Sequence, residues 1–262
     1  MASDQQDSSR ASAHEPGKPG GLPAIDVTER GGKREGVQQV LDRRLFMQLL
    51  VFGCPEGSDV KVLGTELASA LERRKIAGVI YEDINDPRSL GLLTWSEDPA
   101  HFVRVVRPAL NEPATRVLSP KPEFTMLGRS YASGHEPDLA FTLLERPRNN
   151  VMNADWPWAV WYPLRRSGAF ARLDPHEAAS ILREHAAIGL AYGSQDLAHD
   201  VRLACFGMDA HDNEFIVGLL SKDLHPISHC IQTMRKTRQT SEFILQMGPF
   251  FVGYAVWRSA TK

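Results

Sequence analysis

The sequence predicts an α+β protein made of two fused ferredoxin-like units. Two observations carry this. Strand and helix patterns follow one another in the order β-α-β-β-α-β twice along the chain. The segment GLLTWSEDPAHFV, beginning at Gly91, is echoed by GLLSKDLHPISHC, beginning at Gly218. Each copy runs from a strand, through Ser with an acidic neighbour, into a Pro-containing helix start. That period is far too long for a solenoid and points to duplication of one α+β unit.

Residues 1–40 are rich in Ser, Gly, Pro, Gln and charge and nearly free of large apolar side chains. Such a segment cannot bury enough surface to offset its ordering entropy, so a disordered tail is expected. The first unit is expected over 41–140. LFMQLLVF (45–52) is strand-length and apolar, and 59–73 places Val62, Leu63, Leu67 and Leu71 at helical spacing. AGVIYEDI (77–84) and GLLTWSE (91–97) read as strands joined by the turn Asn85-Asp86-Pro87. PAHFVRVVRPAL (99–110) reads as a helix with Pro near its first position, and PEFTMLGRSY (122–131) supplies a closing strand.

The second unit is expected over 141–262. WAVWYPL (158–164) is a strand, 174–190 a helix, VRLACFG (201–207) and EFIVGLLS (214–221) strands, 224–234 a helix, and GPFFVGYAVW (248–257) the closing strand.

Of the 262 residues, 42% are hydrophobic and 24% charged, and the net charge is -2. Ordinary globular composition with near-neutral charge gives no bias toward nucleic acid or an anionic membrane. No apolar run approaches the ~20 residues of a spanning helix, and no charged-then-apolar signal pattern opens the chain. Cys54, Cys205 and Cys230 stand far apart with no CxxC. This argues against a disulfide framework and fits a reducing compartment, so a soluble cytoplasmic protein is expected.

The most informative stretch is DPHEAASILREHAAIGL (174–190). Asp174 suits an N-cap, Pro175 the first helical position and Glu177 a capping box. Ala178, Ile181, Leu182, His185 and Ile188 recur at three- and four-residue steps and form one apolar face. His185 therefore points with the leucine and isoleucines. A buried imidazole must be hydrogen-bonded or bind a metal, because leaving it unpaired costs about 1–3 kcal/mol. It can thus be a core histidine on a carbonyl or a ligand. No HExxH or CxxC spacing supports a closed zinc site, whereas a five-coordinate haem needs a single axial histidine.

WPWAVWYPLRRSG (156–168) places aromatic residues on a strand directly before Arg165 and Arg166. An aromatic face beside guanidinium groups suits a flat apolar ligand with carboxylate arms, and it equally describes a core strand ending in a basic turn. TMRKTRQTS (233–241) offers Arg235 as a second carboxylate anchor or as a cation favoured at a helix C-terminus. The absence of GxGxxG, P-loop and GxSxG patterns argues against nucleotide binding and serine hydrolysis.

On REHAAIGLAYG (183–193), FGMDAHDNEFIVGL (206–219) and GPFFVGYAVW (248–257), the chain resembles the chlorite dismutase-like haem proteins over roughly 43–257. That superfamily includes a coproheme decarboxylase branch. The resemblance implies two fused ferredoxin-like units per subunit, a homo-oligomer (usually a homopentamer) and His185 as proximal iron ligand. Tyr162-Pro163-Leu164-Arg165-Arg166 is similar to the decarboxylase branch's Tyr-Pro-Met strand. It implies Tyr162 as the radical residue and Arg166 as a propionate holder. Met234-Arg235 implies a second propionate anchor at Arg235, with Thr240 or Ser241 as a third group. The strand facing the open side of the iron would present Asp200, with Arg202 on the same strand face. An acidic group there disfavours chlorite, an anion. The implied activity is peroxide-dependent oxidative decarboxylation of iron-coproporphyrin III (coproheme) to haem b. Chlorite dismutase or peroxidase-like chemistry on the same fold, and non-enzymatic haem binding, are the alternatives.

Overall fold

The computed structural model describes residues 22–260. Of the expected tail, residues 1–21 lie outside the described residues, and strand and turn occupy 29–40. Strands β1 (Glu29–Arg34) and β2 (Val37–Leu41) form a hairpin, correcting the boundary at 40. Its turn carries Glu35 and Gly36 at φ 53° and 83°, the pair of left-handed conformations that a tight two-residue hairpin turn requires. The hairpin is held from outside its own sequence. Gln39 Nε2 donates to the carbonyls of Gly32 and Glu136, and Arg129 donates to the Glu29 carboxylate at 2.9 Å.

The rest follows the double β-α-β-β-α-β order. The first unit contains β3 (Phe46–Gly53), α1 (Val60–Arg73), β4 (Gly78–Asp83), β5 (Ser89–Ser96), α2 (Arg107–Leu110), the short β6 (Ser119–Pro120) and β7 (Met126–Arg129). A connecting helix, α3 (Arg146–Met152), was not expected from the sequence. The second unit contains β8 (Trp158–Arg166), α4 (Pro175–Ser194), β9 (His199–Ala204), β10 (Phe215–Ser221), α5 (Leu224–Met234), α6 (Arg238–Phe243), β11 (Ile244–Met247) and β12 (Phe251–Arg258).

The cap expected at Asp174 forms, and Asp59 caps α1 in the same way. Asp59 accepts from the amides of Lys61 and Val62, and Asp174 from those of His176 and Glu177. The helix expected over 99–110 starts as a widened π turn, in which the Arg107 amide bonds Phe102 O five residues back. The same occurs before α3, from Arg146 to Phe141 O. In each case a proline follows at once, Pro108 or Pro147. Proline has no amide hydrogen for a bond four residues back, and its ring crowds that carbonyl.

Each unit has the strand order of a ferredoxin-like sheet: β7-β3-β5-β4 in the first and β12-β8-β10-β9 in the second. Pairing of β4 with β12 and of β7 with β9 closes the eight strands into an antiparallel barrel. Its interior is filled by side chains such as Met47, Leu49, Tyr81, Trp161, Leu203 and Phe251, as an eight-stranded barrel allows. Leu139, Leu143 and Val151 from the connecting segment pack into the same core. The two echoed glycines have matching jobs. A Cβ on Gly91 would lie 2.4 Å from the Phe251 ring, and one on Gly218 2.5 Å from the Trp161 ring. Each glycine makes room for a large aromatic residue inside the barrel.

The outer faces carry the helices. α1 and α2 cover the first unit, burying Leu67, Leu71, Ile80, Leu92 and Val106. α4 and α5 stand over the second, above Val160, Tyr162 and Leu219.

Candidate functional site

Alternation along β8, β9 and β10 sends Trp161, Val201 and Leu203 into the barrel and Tyr162, Asp200 and Arg202 outward. Register then fixes their neighbours. Val217 on β10 pairs with Tyr162 on one side and Arg202 on the other, so these three form one row. In the next row Leu219 pairs with Val160 and Asp200. With adjacent strands ~4.8 Å apart, the Tyr162 and Arg202 backbones lie ~10 Å from one another. The structure therefore brings three of the sequence-predicted residues onto one sheet face beneath α4 and α5.

Tyr162 is 6% exposed and stacks on Phe250, with ring centroids 4.6 Å apart. Burial pushes its phenol well above the ordinary range. Cys230 adds to that shift and Arg235 opposes it. The Cys230 thiol, 2% exposed, is itself pushed up to about 11, chiefly by burial.

Asp200 is not a free acid. It bonds the Arg146 guanidinium, and Arg202 Nε lies 2.7 Å from its other oxygen. Beside it is a small cavity of about 30 Å³, lined by Tyr131, Glu136, Arg146 and Arg202 among others. Tyr131 went unnoticed in the sequence because it ends an ordinary closing strand. Burial raises its phenol, against the pull of the Arg202 and Arg166 cations.

His185 descends from α4. Burial and the nearby Arg202 cation push its imidazole below the usual histidine range, which favours the uncharged ring. Nδ1 lies 3.4 Å from Thr237 Oγ1, and among the described residues Nε2 has no hydrogen-bond partner. The predicted apolar face of α4 is only partly realised: Ile181 is buried, whereas Leu182 is 42% exposed.

The predicted carboxylate anchors are scattered. Arg235, at the end of α5, makes no ion pair among the described residues and lines an open cavity of about 530 Å³ with Val160, Phe250, Val252 and Gln232. Ile84 and Asn85 of the first unit also wall this cavity, and His185 does not reach it. Arg166 is already engaged: its Nε lies 3.1 Å from Glu214, and its guanidinium sits 4.6 Å from both the Phe170 and Phe215 rings. Ser241 is exposed on α6 with Oγ bonded to Thr237 O, while Thr240 is half-buried with its hydroxyl toward Thr237.

Among the described residues, no group of three or more His, Cys, Asp or Glu is placed to share a metal ion. His185 would thus be a lone protein donor. A half-buried imidazole with one nitrogen beside a hydroxyl and the other without a partner has the chemistry of a haem-iron ligand.

A duplicated ferredoxin-like barrel of eight antiparallel strands defines a recognisable class of fold. Residues 92–256 match the chlorite dismutase family, and the chain belongs to that family. Among solved structures, a heme-binding protein from Thermus thermophilus has a TM-score of 0.65 at 17% identity, over 82% of this chain and 92% of that one. A variant of the chlorite dismutase from Candidatus Nitrospira defluvii has a TM-score of 0.63 at 13% identity, with the same coverage. At such identities the likeness is one of fold. No curated protein matches at the sequence level. Among the described residues, no helix is long and apolar enough to cross a membrane.

Proposed function

We propose that the chain is a haem-dependent oxidoreductase that converts iron-coproporphyrin III to haem b with hydrogen peroxide, using His185 as the iron's protein ligand. Two observations support it: a half-buried histidine on α4 whose Nδ1 faces Thr237, and a buried tyrosine on the outward face of the second sheet, stacked on Phe250. For each propionic acid arm, one peroxide is consumed, and a vinyl group, one CO₂ and two waters result. The iron porphyrin, when bound, supplies the redox power.

The chain supplies placement and hydrogen transfer. His185 Nε2 offers its lone pair. Tyr162 Oη keeps its proton at neutral pH because burial raises the phenol. With an iron porphyrin bound and oxidised by peroxide, the phenol would give up that hydrogen atom and recover one from the propionate β-carbon; the arm would then lose CO₂ and a proton, its second electron going to the iron porphyrin. Phe250 fixes the ring against rotation. Arg235, free of other ion pairs among the described residues, holds a carboxylate, and Thr240 or Ser241 adds a hydroxyl. Arg166 can hold a propionate only in exchange for Glu214. Misplacement of reacting atoms by about 1 Å can cost a hundredfold in rate, which is why these anchors matter. The Asp200 carboxylate offsets its flanking cations, which suits a neutral oxidant better than chlorite.

Arg202, a guanidinium on the same face, favours a second reading: chlorite dismutase or peroxidase-like chemistry. The three cysteines are free thiols, which supports a reducing cytoplasmic setting. A homo-oligomer follows from the family reading.

The deciding experiment adds iron-coproporphyrin and peroxide to purified protein and weighs the product. Loss of two CO₂ is expected, and Tyr162→Phe should bind the porphyrin yet form no vinyl group. Oxygen release from chlorite would select the second reading. Conversion by Tyr162→Phe at the wild-type rate would overturn the first.

A further inference from the structure

We infer that Thr237 is the positioning residue that sets the tautomer of His185. The inference rests on His185 being the iron ligand proposed above. Thr237 is 1% exposed and caps the N-terminus of α6, just past the end of α5. Its hydroxyl lies 2.7 Å from Met234 O. Thr240 Oγ1 lies farther off at 3.2 Å, and the Thr240 amide donates to Thr237 Oγ1 in the cap; a carbonyl can only accept, so the single Thr237 proton goes to the nearer Met234 O. Toward His185 Nδ1, 3.4 Å away, Oγ1 is left with a lone pair. The ring must then carry its hydrogen on Nδ1, which leaves the Nε2 lone pair for the iron.

The neighbouring carboxylate does not compete for this role. Glu184, adjacent to His185 in α4, accepts from the Arg238 amide at 3.2 Å. The axial imidazole is thus tethered by a neutral hydroxyl. A carboxylate in that position would make the ligand more basic; a hydroxyl leaves it close to an ordinary imidazole. The same hydroxyl ties three elements together, because it joins the α5 terminus, the α6 cap and the α4 histidine.

The test uses the full chain and begins without haem. Long-range ¹H–¹⁵N spectra, with the His185 ring assigned by its loss in His185→Ala, should show the hydrogen on Nδ1 in the wild type. Thr237→Val should give a mixture of tautomers, and Thr237→Ser should restore the wild-type form. In the haem-loaded protein, Thr237→Val should weaken haem binding by about 10- to 100-fold and shift the iron–histidine Raman band, again with rescue by serine. A wild-type ring protonated on Nε2 overturns the inference even if no variant folds. So does an unchanged tautomer in Thr237→Val. Failure of the haem reading looks different: a haem spectrum indifferent to His185→Ala, whatever the tautomer.

Discussion

The two halves of the barrel share one topology and dress it in opposite ways. In the first, the 14-residue α1 buries Gly64, Leu67, Ala68, Ala70 and Leu71 against its sheet. In the second, the 20-residue α4 fully buries only Ile181, and Leu190 is 73% exposed. Beside α5 the second half also keeps a cavity of about 530 Å³. The first half spends its helices on packing. In the second, α5 packs on the sheet through Ile227 and Cys230, while α4 buries little of itself and leaves His185 half-buried. Duplication thus leaves one copy with a densely buried first helix and the other with a more exposed one.

That contrast can be broken by measurement. The largest expected effect is in the packed half: Leu67→Ala should cost about 2–5 kcal/mol in denaturant unfolding, as for any fully buried leucine. Ile188→Ala on the half-buried face of α4 should cost under about 1 kcal/mol in the ligand-free protein. Equal losses would show that the second half is packed like the first. Next in size is ligand stabilisation. Haem at a hundred times its Kd should add about 2.7 kcal/mol, with hydrogen-exchange protection gained in α4 to α6 and not in α1. Protection spread evenly over both halves would contradict the contrast.

The smallest effect is alkaline. Burial raises the phenols of both Tyr81, inside the barrel, and Tyr162. Their contribution to stability is complete below the unfolded tyrosine pKa of ~10 and is lost as pH rises toward the folded values. Because Tyr162 sits under the open half, it should ionise by local opening before Tyr81. Phenolate absorbance should lose an early step in Tyr162→Phe and none in Tyr81→Phe. The reverse order would sink the comparison.

The repeated architecture was legible because it rests on local signals: period-two strands, the cap at Asp174, and the glycines of the echo. The β1–β2 hairpin was not, since its sequence has no apolar face and Gln39 and Glu29 find their partners about a hundred residues away. The site was legible in part. Alternation placed Tyr162 and Arg202 on outward faces, and helical spacing turned His185 inward. Spacing could not show that Arg146 holds Asp200, that Glu214 holds Arg166 or that Thr237 meets His185. Each of those contacts joins elements that only the closed barrel brings together.

Closure of the barrel also bears on how the chain can be divided. β4 and β12 share a ladder, and β7 meets β9 through the single pair Arg129 and Ala204. A fragment cut at the middle of the sequence would bare two unsatisfied strand borders, open to pairing with any other chain. Expressed separately, the halves should therefore aggregate, and co-expressed they should find each other. The weaker β7–β9 seam, not the connecting helix, is where the intact ring should first part.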